Sequence, residues 1–378
     1  MKKTIGFVCQ ADPFKDRKAW SGTEYKLREA IELAGFNVIW IPYRTNTLAV
    51  LFARIRRKVE ECSSKGKVMG TVMYQPLAKA YAQSIDISLV EQCDYLFFPG
   101  GTQIALFLKA KKPYISLADS TIPVMVDYYW FGLSRRFIDS AISLDRRACE
   151  GAMLNIRSSR WAFDSLIHDY HCSQENCCLL EFGPNIDTRD IAPVEPYREG
   201  ILNILFSGVN WERKGGAIAV ETVRLLREQG LDAHLFVAGP KVCPEGITEC
   251  EFVTFVGFLD KNNLNDYKRY IGLYRQCHLL LLPTKAECSA IVYCEAAAFG
   301  LPCYTYSTGG TTDYVINEYN GRALPLSDGP AGYANAIYDD TMLGKLPVFN
   351  SHARQLHKEK LSWEAWARRF SEIINHLN

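Results

Sequence analysis

The sequence predicts an α/β protein built from two Rossmann-like, doubly wound parallel-sheet domains in tandem. Three observations carry this. Short β-rich apolar runs alternate with helix-period segments almost from end to end, the trace that parallel strands joined by crossover helices leave in a sequence. The alternation breaks once, between Gly183 and Gly200, where Pro184, Pro193 and Pro196 stand among charges without periodicity. The chain has 378 residues, more than one core organises at roughly 150 residues per domain.

In chain order, the first half supplies strands over Thr4–Gln10, Asn37–Tyr43, Tyr95–Phe98, Pro113–Leu117, Ala152–Asn155 and Cys178–Leu180. Helices such as Gly22–Ala34 and Ser158–Asp169 lie between them. After the break come strands Leu202–Gly208, Asp232–Ala238, Phe252–Val256, His278–Leu282 and Pro302–Tyr306, with helices Gly215–Gln229, Leu264–Gln276 and Ser289–Phe299. This places a first domain at residues 1–190 and a second at 191–355. A final helix at 356–378, carrying Trp363, Trp366 and Phe370 with no strand left to join a sheet, is expected to pack back across the junction. Ligand crevices of open parallel sheets lie outside the strand C-termini, so a cleft where the two sheets face each other is the expected site.

Composition narrows the function classes. Hydrophobic residues at 48% and charged residues at 22%, with scattered Gly and Pro, are ordinary globular usage and exclude disorder, collagen and coiled coil. A formal charge of +1 excludes a protein that binds nucleic acid over a broad basic face, so an anion must be met locally. None of the 13 cysteines forms a Cys-x-x-Cys pair, which argues against a zinc ribbon or a disulfide framework. Ile5-Gly6-Phe7-Val8 reads as a first strand rather than a signal segment. No window approaches the roughly 18 apolar residues of a membrane span. The expected location is cytoplasmic. The basic stretch Arg54-Ile55-Arg56-Arg57-Lys58, with Lys65 and Lys67, is either a solvated face or a landing patch on the inner face of a membrane.

Two segments carry chemistry. In Gly208-Val209-Asn210-Trp211-Glu212-Arg213-Lys214-Gly215-Gly216, two cations stand where a long helix is expected to begin, against the macrodipole. A diphosphate docked there would meet both cations and the free N–H groups of the helix start; the alternative is that both cations are simply solvated. In the second segment, a strand ending at Leu282 runs into Glu287-Cys288-Ser289-Ala290-Ile291, expected to open a helix. The N–H groups of Ser289, Ala290 and Ile291 would form a second anion cradle. Glu295 lies among apolar and small residues, where a carboxylate needs donors. Sugar or ribose hydroxyls would serve, as would a buried arginine. Glu287 alone could be an ordinary loop acid near a helix start.

Glu287 and Glu295, with seven residues between them, resemble the E-x7-E motif of retaining GT-B glycosyltransferases of family four, the glycosyl transferases group 1. Ser21-Gly22-Thr23-Glu24, followed by Leu27, Ala30, Ile31, Leu33, Gly35 and Val38, is similar to that family's Gly-rich loop, first helix and second strand. Ser158–Tyr170 and Phe182-Gly183-Pro184-Asn185-Ile186-Asp187 resemble its last N-domain helix and interdomain hinge. Lys214-Gly215, Ala238-Gly239 and Gly309-Gly310 match its phosphate-binding and strand-end glycine pairs. The chain departs from the pattern at Val209, where many members carry an arginine, and at Cys288-Ser289-Ala290, where glycines are common.

The resemblance implies a GT-B architecture. It also implies transfer of a sugar, with retention, from a UDP- or GDP-linked donor to a hydroxyl on a glycan, lipid-linked or small-molecule acceptor. Glu287 would contact the transferred sugar and Glu295 the ribose, with Arg213 and Lys214 neutralising the diphosphate and Gly22 letting backbone approach the donor. Where members carry a histidine near the reacting carbon, this chain has Asp119 after the strand ending at Leu117. Asp119 could hold a sugar hydroxyl or take the acceptor proton, or it could cap a helix after Pro123. No Asp-x-Asp occurs, so neither a metal nor another cofactor is expected. The rival to an enzyme is a non-catalytic scaffold that binds sugar nucleotides.

Overall fold

The computed structural model describes residues 2–245 and 250–377. Among them, twelve strands form two six-stranded sheets in which every pairing is parallel. The chain divides into two compact units, residues 2–19, 23–180 and 367–377 in the first, and 20–22 and 181–366 in the second.

In the first unit β1 (Thr4–Cys9), β2 (Asn37–Pro42), β3 (Tyr95–Pro99), β4 (Tyr114–Ala118), β5 (Leu154–Arg157) and β6 (Cys177–Leu179) take the order β2-β1-β3-β4-β5-β6. All five residues of β3 are buried, as expected of a strand covered on both faces. Phe7 and Phe97, opposite each other in the register, stack at 5.4 Å. Phe370, from the last helix (Trp363–His376), packs edge-on against Phe36 and Phe97 and completes this core.

The second unit holds β7 (Leu202–Ser207), β8 (Ala233–Ala238), β9 (Val253–Gly257), β10 (Leu279–Leu282), β11 (Cys303–Tyr306) and β12 (Gly321–Leu324), ordered β12-β11-β10-β7-β8-β9. The chain runs outward from β7 to β9 and then returns to the other side of β7. The strand order therefore reverses between β7 and β10, and the loops leaving these two strands frame the crevice.

One expectation needs correction, and one strand was not anticipated. The proline-containing stretch belongs to the second unit, and the division falls after Leu180 rather than at residue 190. Residues of that stretch are bonded into the second unit: Val194 donates its N–H to Phe299 O at 2.9 Å, and Trp363 Nε1 donates to Pro184 O at 2.9 Å. β12 was not expected. It is four residues long, begins with Gly321 at φ +150, and carries Arg322, which reaches Asp340.

Candidate functional site

The loop leaving β7 is shaped by an asparagine and a glycine. Asn210 caps the four-residue helix Trp211–Lys214 by accepting the Arg213 N–H at 2.9 Å. Gly215 then turns left-handed at φ +75, and a separate helix runs over Gly216–Glu228. Arg213 and Lys214 thus close a short helix instead of opening the long one, which corrects the expectation from the sequence. They lie in the last turn of the short helix, just ahead of Gly215, the N-cap of the long one.

This loop is fastened to the one leaving β10. A Cβ on Gly215 would lie 2.1 Å from Pro283 O, so only glycine permits the approach. Lys285 donates its N–H to Arg213 O at 2.9 Å. The two loops bring together charges more than 70 positions apart in the chain. Lys214 Nζ pairs with Glu287 Oε2. Arg213 Nη1 lies 3.3 Å from the same oxygen and donates to Ala286 O at 2.6 Å. Gly310 N–H holds the Glu287 carbonyl at 3.0 Å. Glu287 is 6% exposed, so its carboxylate is held away from water between two cations. Two positive groups against one negative leave this cluster cationic.

The helix after Glu287 spans Ile291–Phe299, with Ala290 as its N-cap at φ −74, ψ 112. The expected start at Ser289 is therefore two residues early. The Ser289 hydroxyl bonds that of Tyr314 and does not cap the helix. Of the three residues expected to open the helix, Ile291 is its first, Ala290 its N-cap, and Ser289 lies in the loop before it.

Glu295 is wholly buried, and the protein itself supplies its donors. Lys261 Nζ lies at 2.6 Å from Oε1, and the hydroxyls of Tyr270 and Tyr274 donate to Oε2 at 2.5 and 2.9 Å. Burial and then the Glu295 charge hold both tyrosines well above their ordinary pKa. The partner is thus a lysine and two tyrosines rather than an arginine. These three residues were not anticipated. Their signal was the pair Tyr270 and Tyr274 on one face of the helix Leu264–Gln276, preceded by Lys261.

In the first unit, Asp119 follows β4 and is half-buried. It is not the N-cap residue of Ile122–Met125: that position is Thr121, whose side chain makes no capping hydrogen bond. Asp119 lines a cavity of about 170 Å³ at the C-terminal ends of β3, β4 and β5. The polar side of this cavity carries Gln103, Asp145 and Arg157, and Trp130 lies on its wall. Gln103 Nε2 and the Tyr170 hydroxyl donate to Asp145 at 2.7 and 2.6 Å. Arg157 Nε and Gln103 Oε1 are buried without partners. Gly22 is buried at φ +94, closing a turn in which Trp20 and Ser21 are also left-handed. Its turn groups with the second unit, where Asn185 Nδ2 donates to Ser21 O at 3.0 Å. Among the described residues no group of three or more His, Cys, Asp or Glu side chains is placed to hold a metal ion.

Residues 202–339 match the family model described as Glycosyl transferases group 1. A comparison with curated proteins finds no match. Among solved structures, the chain is similar to sucrose-phosphate synthase from Thermosynechococcus elongatus, with 17% identity, a TM-score of 0.70, and 100% of this chain and 99% of the other covered. It is similar to a glycosyltransferase from Rickettsia africae, with 14% identity and a TM-score of 0.66 over 100% and 98% of the two chains. The third is Anabaena HepE in complex with UDP-glucose, with 15% identity and a TM-score of 0.65 over 99% of each.

Proposed function

We propose that this chain, which has the fold of GT-B glycosyltransferases and matches their group 1 model over residues 202–339, transfers a sugar from a nucleotide-diphosphate donor to a hydroxyl acceptor with retention of configuration. The observation that carries the reading is the cationic cluster of Arg213, Lys214 and Glu287, fixed between two loops where the strand order reverses. A diphosphate there gains charge-assisted hydrogen bonds from both cations and N–H groups from Ser289, Ala290 and Ile291. Breaking the bond from the anomeric carbon sends its electron pair onto the diphosphate, where these fixed groups stabilise it. The acceptor oxygen forms the new bond to carbon. Its proton leaves to a base, for which Asp119 is the candidate.

Glu287 would be shared between the cations and the transferred sugar. Glu295, Lys261, Tyr270 and Tyr274 would support the ribose from behind. Gly22 would admit donor backbone contacts, and the cavity at Asp119 would receive a hydroxyl-bearing glycan or lipid-linked acceptor. A UDP donor is the first choice, since Anabaena HepE was solved with UDP-glucose; GDP is the second. No metal or other cofactor is invoked, because Arg213 and Lys214 neutralise the leaving group themselves.

The test is a thermal-shift series with UDP-, GDP- and ADP-sugars, followed by donor turnover in excess EDTA. A ligand at about 100 times its Kd adds ~2.7 kcal/mol of stability. The product linkage should keep the donor's anomeric configuration by proton NMR. No shift with any nucleotide diphosphate would refute the donor site, and loss of turnover on chelation, restored by Mn²⁺, would refute metal independence. Because the Glu287 carboxylate is already closed by two cations, a non-catalytic binding scaffold is the second reading. It predicts shifts without turnover.

A further inference from the structure

We propose that the helix Leu48–Ser63 docks this chain on an anionic lipid surface. The helix presents Leu48, Leu51, Phe52, Ile55 and Val59 to solvent, each between 51% and 74% exposed. Exposed large apolar side chains are ordinary when scattered. These recur at intervals of three and four residues, so they form one continuous stripe.

The opposite face is the one packed on the protein. Val50 and Ala53 are buried, and Thr47 caps the helix through the Val50 N–H. The acidic residues are also turned to this side. Glu60 accepts from the Tyr74 hydroxyl at 3.0 Å, and Glu61 accepts from the Val68 N–H at 3.2 Å and from Arg57 at 3.0 Å. Arg57 donates to Val68 O at 2.7 Å as well. Of the basic stretch noted in the sequence, Arg57 is thus committed to the fold and is not a surface cation.

Arg54, Arg56 and Lys58 remain exposed. At about 100° per residue, Arg56 borders the apolar stripe on one side and Lys58 on the other. Exposed Lys65 and Lys67 follow just beyond the helix. An apolar stripe edged by cations on both sides, with its carboxylates turned away, fits a helix lying in the plane of an anionic interface. The apolar side chains would enter the acyl boundary while the basic ones reach the headgroups. A second copy of this chain fits poorly, because the pairing would set Arg56 and Lys58 against their own kind. No described helix is long and apolar enough to cross a membrane, so the contact is one of lying on the surface. The inference does not depend on the donor reading.

The experiment is co-sedimentation of the full chain with vesicles of phosphatidylcholine alone and of phosphatidylcholine mixed with phosphatidylglycerol. Binding should be at least about tenfold stronger to the anionic vesicles and should weaken with added salt. Ile55→Asp, and separately the pair Arg56→Glu and Lys58→Glu, should each lower it by about tenfold or more. Far-UV circular dichroism and the melting temperature without ligand serve as their folding control, and the UDP-induced thermal shift reports separately on the donor site. Phe52→Trp gives a second measurement, since its fluorescence should move to the blue on anionic vesicles. Absence of binding to anionic vesicles would overturn the proposal. So would a wild-type dimer that Ile55→Asp converts to a monomer, because the stripe would then be covered by a second copy.

Discussion

Replacing Glu295 by glutamine changes one charge and almost no volume, in a place where the structure allows the effect to be worked out. Its carboxylate accepts from an ammonium at 2.6 Å and from two phenols at 2.5 and 2.9 Å, with no exposure to water. The amide oxygen of Gln can still face Lys261, and its NH₂ can donate to the tyrosine oxygens. Every contact therefore survives and only its charged part is lost. Hydrogen bonds to charged groups contribute about 1.5–3 kcal/mol against about 1 for neutral ones, so the variant should lose ~2–3 kcal/mol. Glu295→Ala should cost more, about 3–5 kcal/mol, because Lys261 is left without its counter-charge. In a unit of this size, ~1 kcal/mol moves Tm by roughly 2–4 °C. Calorimetric scans should thus show Glu295→Gln melting about 5–10 °C lower in the second unit's transition. Lys261→Met should cost less in the Gln background than alone, with a coupling of at least ~1 kcal/mol. Titration of the same proteins with UDP separates fold from function, and affinity should fall by ~1–3 kcal/mol if the network supports the ribose. A Tm unchanged in Glu295→Gln would refute the stability argument, and an unchanged UDP affinity would remove the ribose role.

Three further outcomes are expected. Lys214→Ala should lower kcat by about two orders of magnitude or more in a donor-turnover assay, and a wild-type kcat would mean that the pair with Glu287 is structural only. Asp119→Asn should lower kcat while leaving UDP affinity alone; near-wild-type kinetics would take Asp119 out of the site. Glu24, beside the Cys9 thiol, is raised by burial to a pKa of about 7. The folded chain then keeps a proton that the unfolded chain releases above pH 4.5 or so. Stability should accordingly fall as pH rises from about 4.5 to about 7, by up to ~3 kcal/mol, and Glu24→Gln should abolish that fall. Parallel stability curves for the two proteins would rule it out.

The sequence made the strand-and-helix rhythm legible because a parallel sheet buried on both faces demands uninterrupted apolar runs, as Leu279–Leu282 and Tyr95–Pro99 show. β12 escaped notice because Arg322 interrupts so short a strand, and its counter-ion Asp340 is 18 positions away. At the site, Arg213 and Lys214 were readable as residues that break a local rule and Glu287 through the resemblance to E-x7-E, and the structure places the three in contact. Their position on a helix was misjudged, since Gly215 could be read as part of the long helix until its left-handed φ showed otherwise. The partners of Glu295 were hidden for a different reason: Lys261, Tyr270 and Tyr274 are common surface and core residue types, and only three-dimensional packing turns them toward one carboxylate. The cavity behind Asp119 was likewise invisible, because its polar residues come from separate strands and helices of the first unit.

The fastening of the β7 loop to the β10 loop bears on how such a site is inherited. The backbone of Gly215 touches that of Pro283, Lys285 bonds Arg213 O, and the side chains of Arg213 and Lys214 end on Glu287. Asn210 and Gly215 shape the first segment locally, but its two cations find their counter-charge only in the second. A chimera that imports the Pro283–Glu295 segment from a relative, leaving the native Gly208–Gly216 segment in place, would join two halves of different clasps. The unit of exchange, in the laboratory or by recombination, is both loops together with the pair of strands that present them.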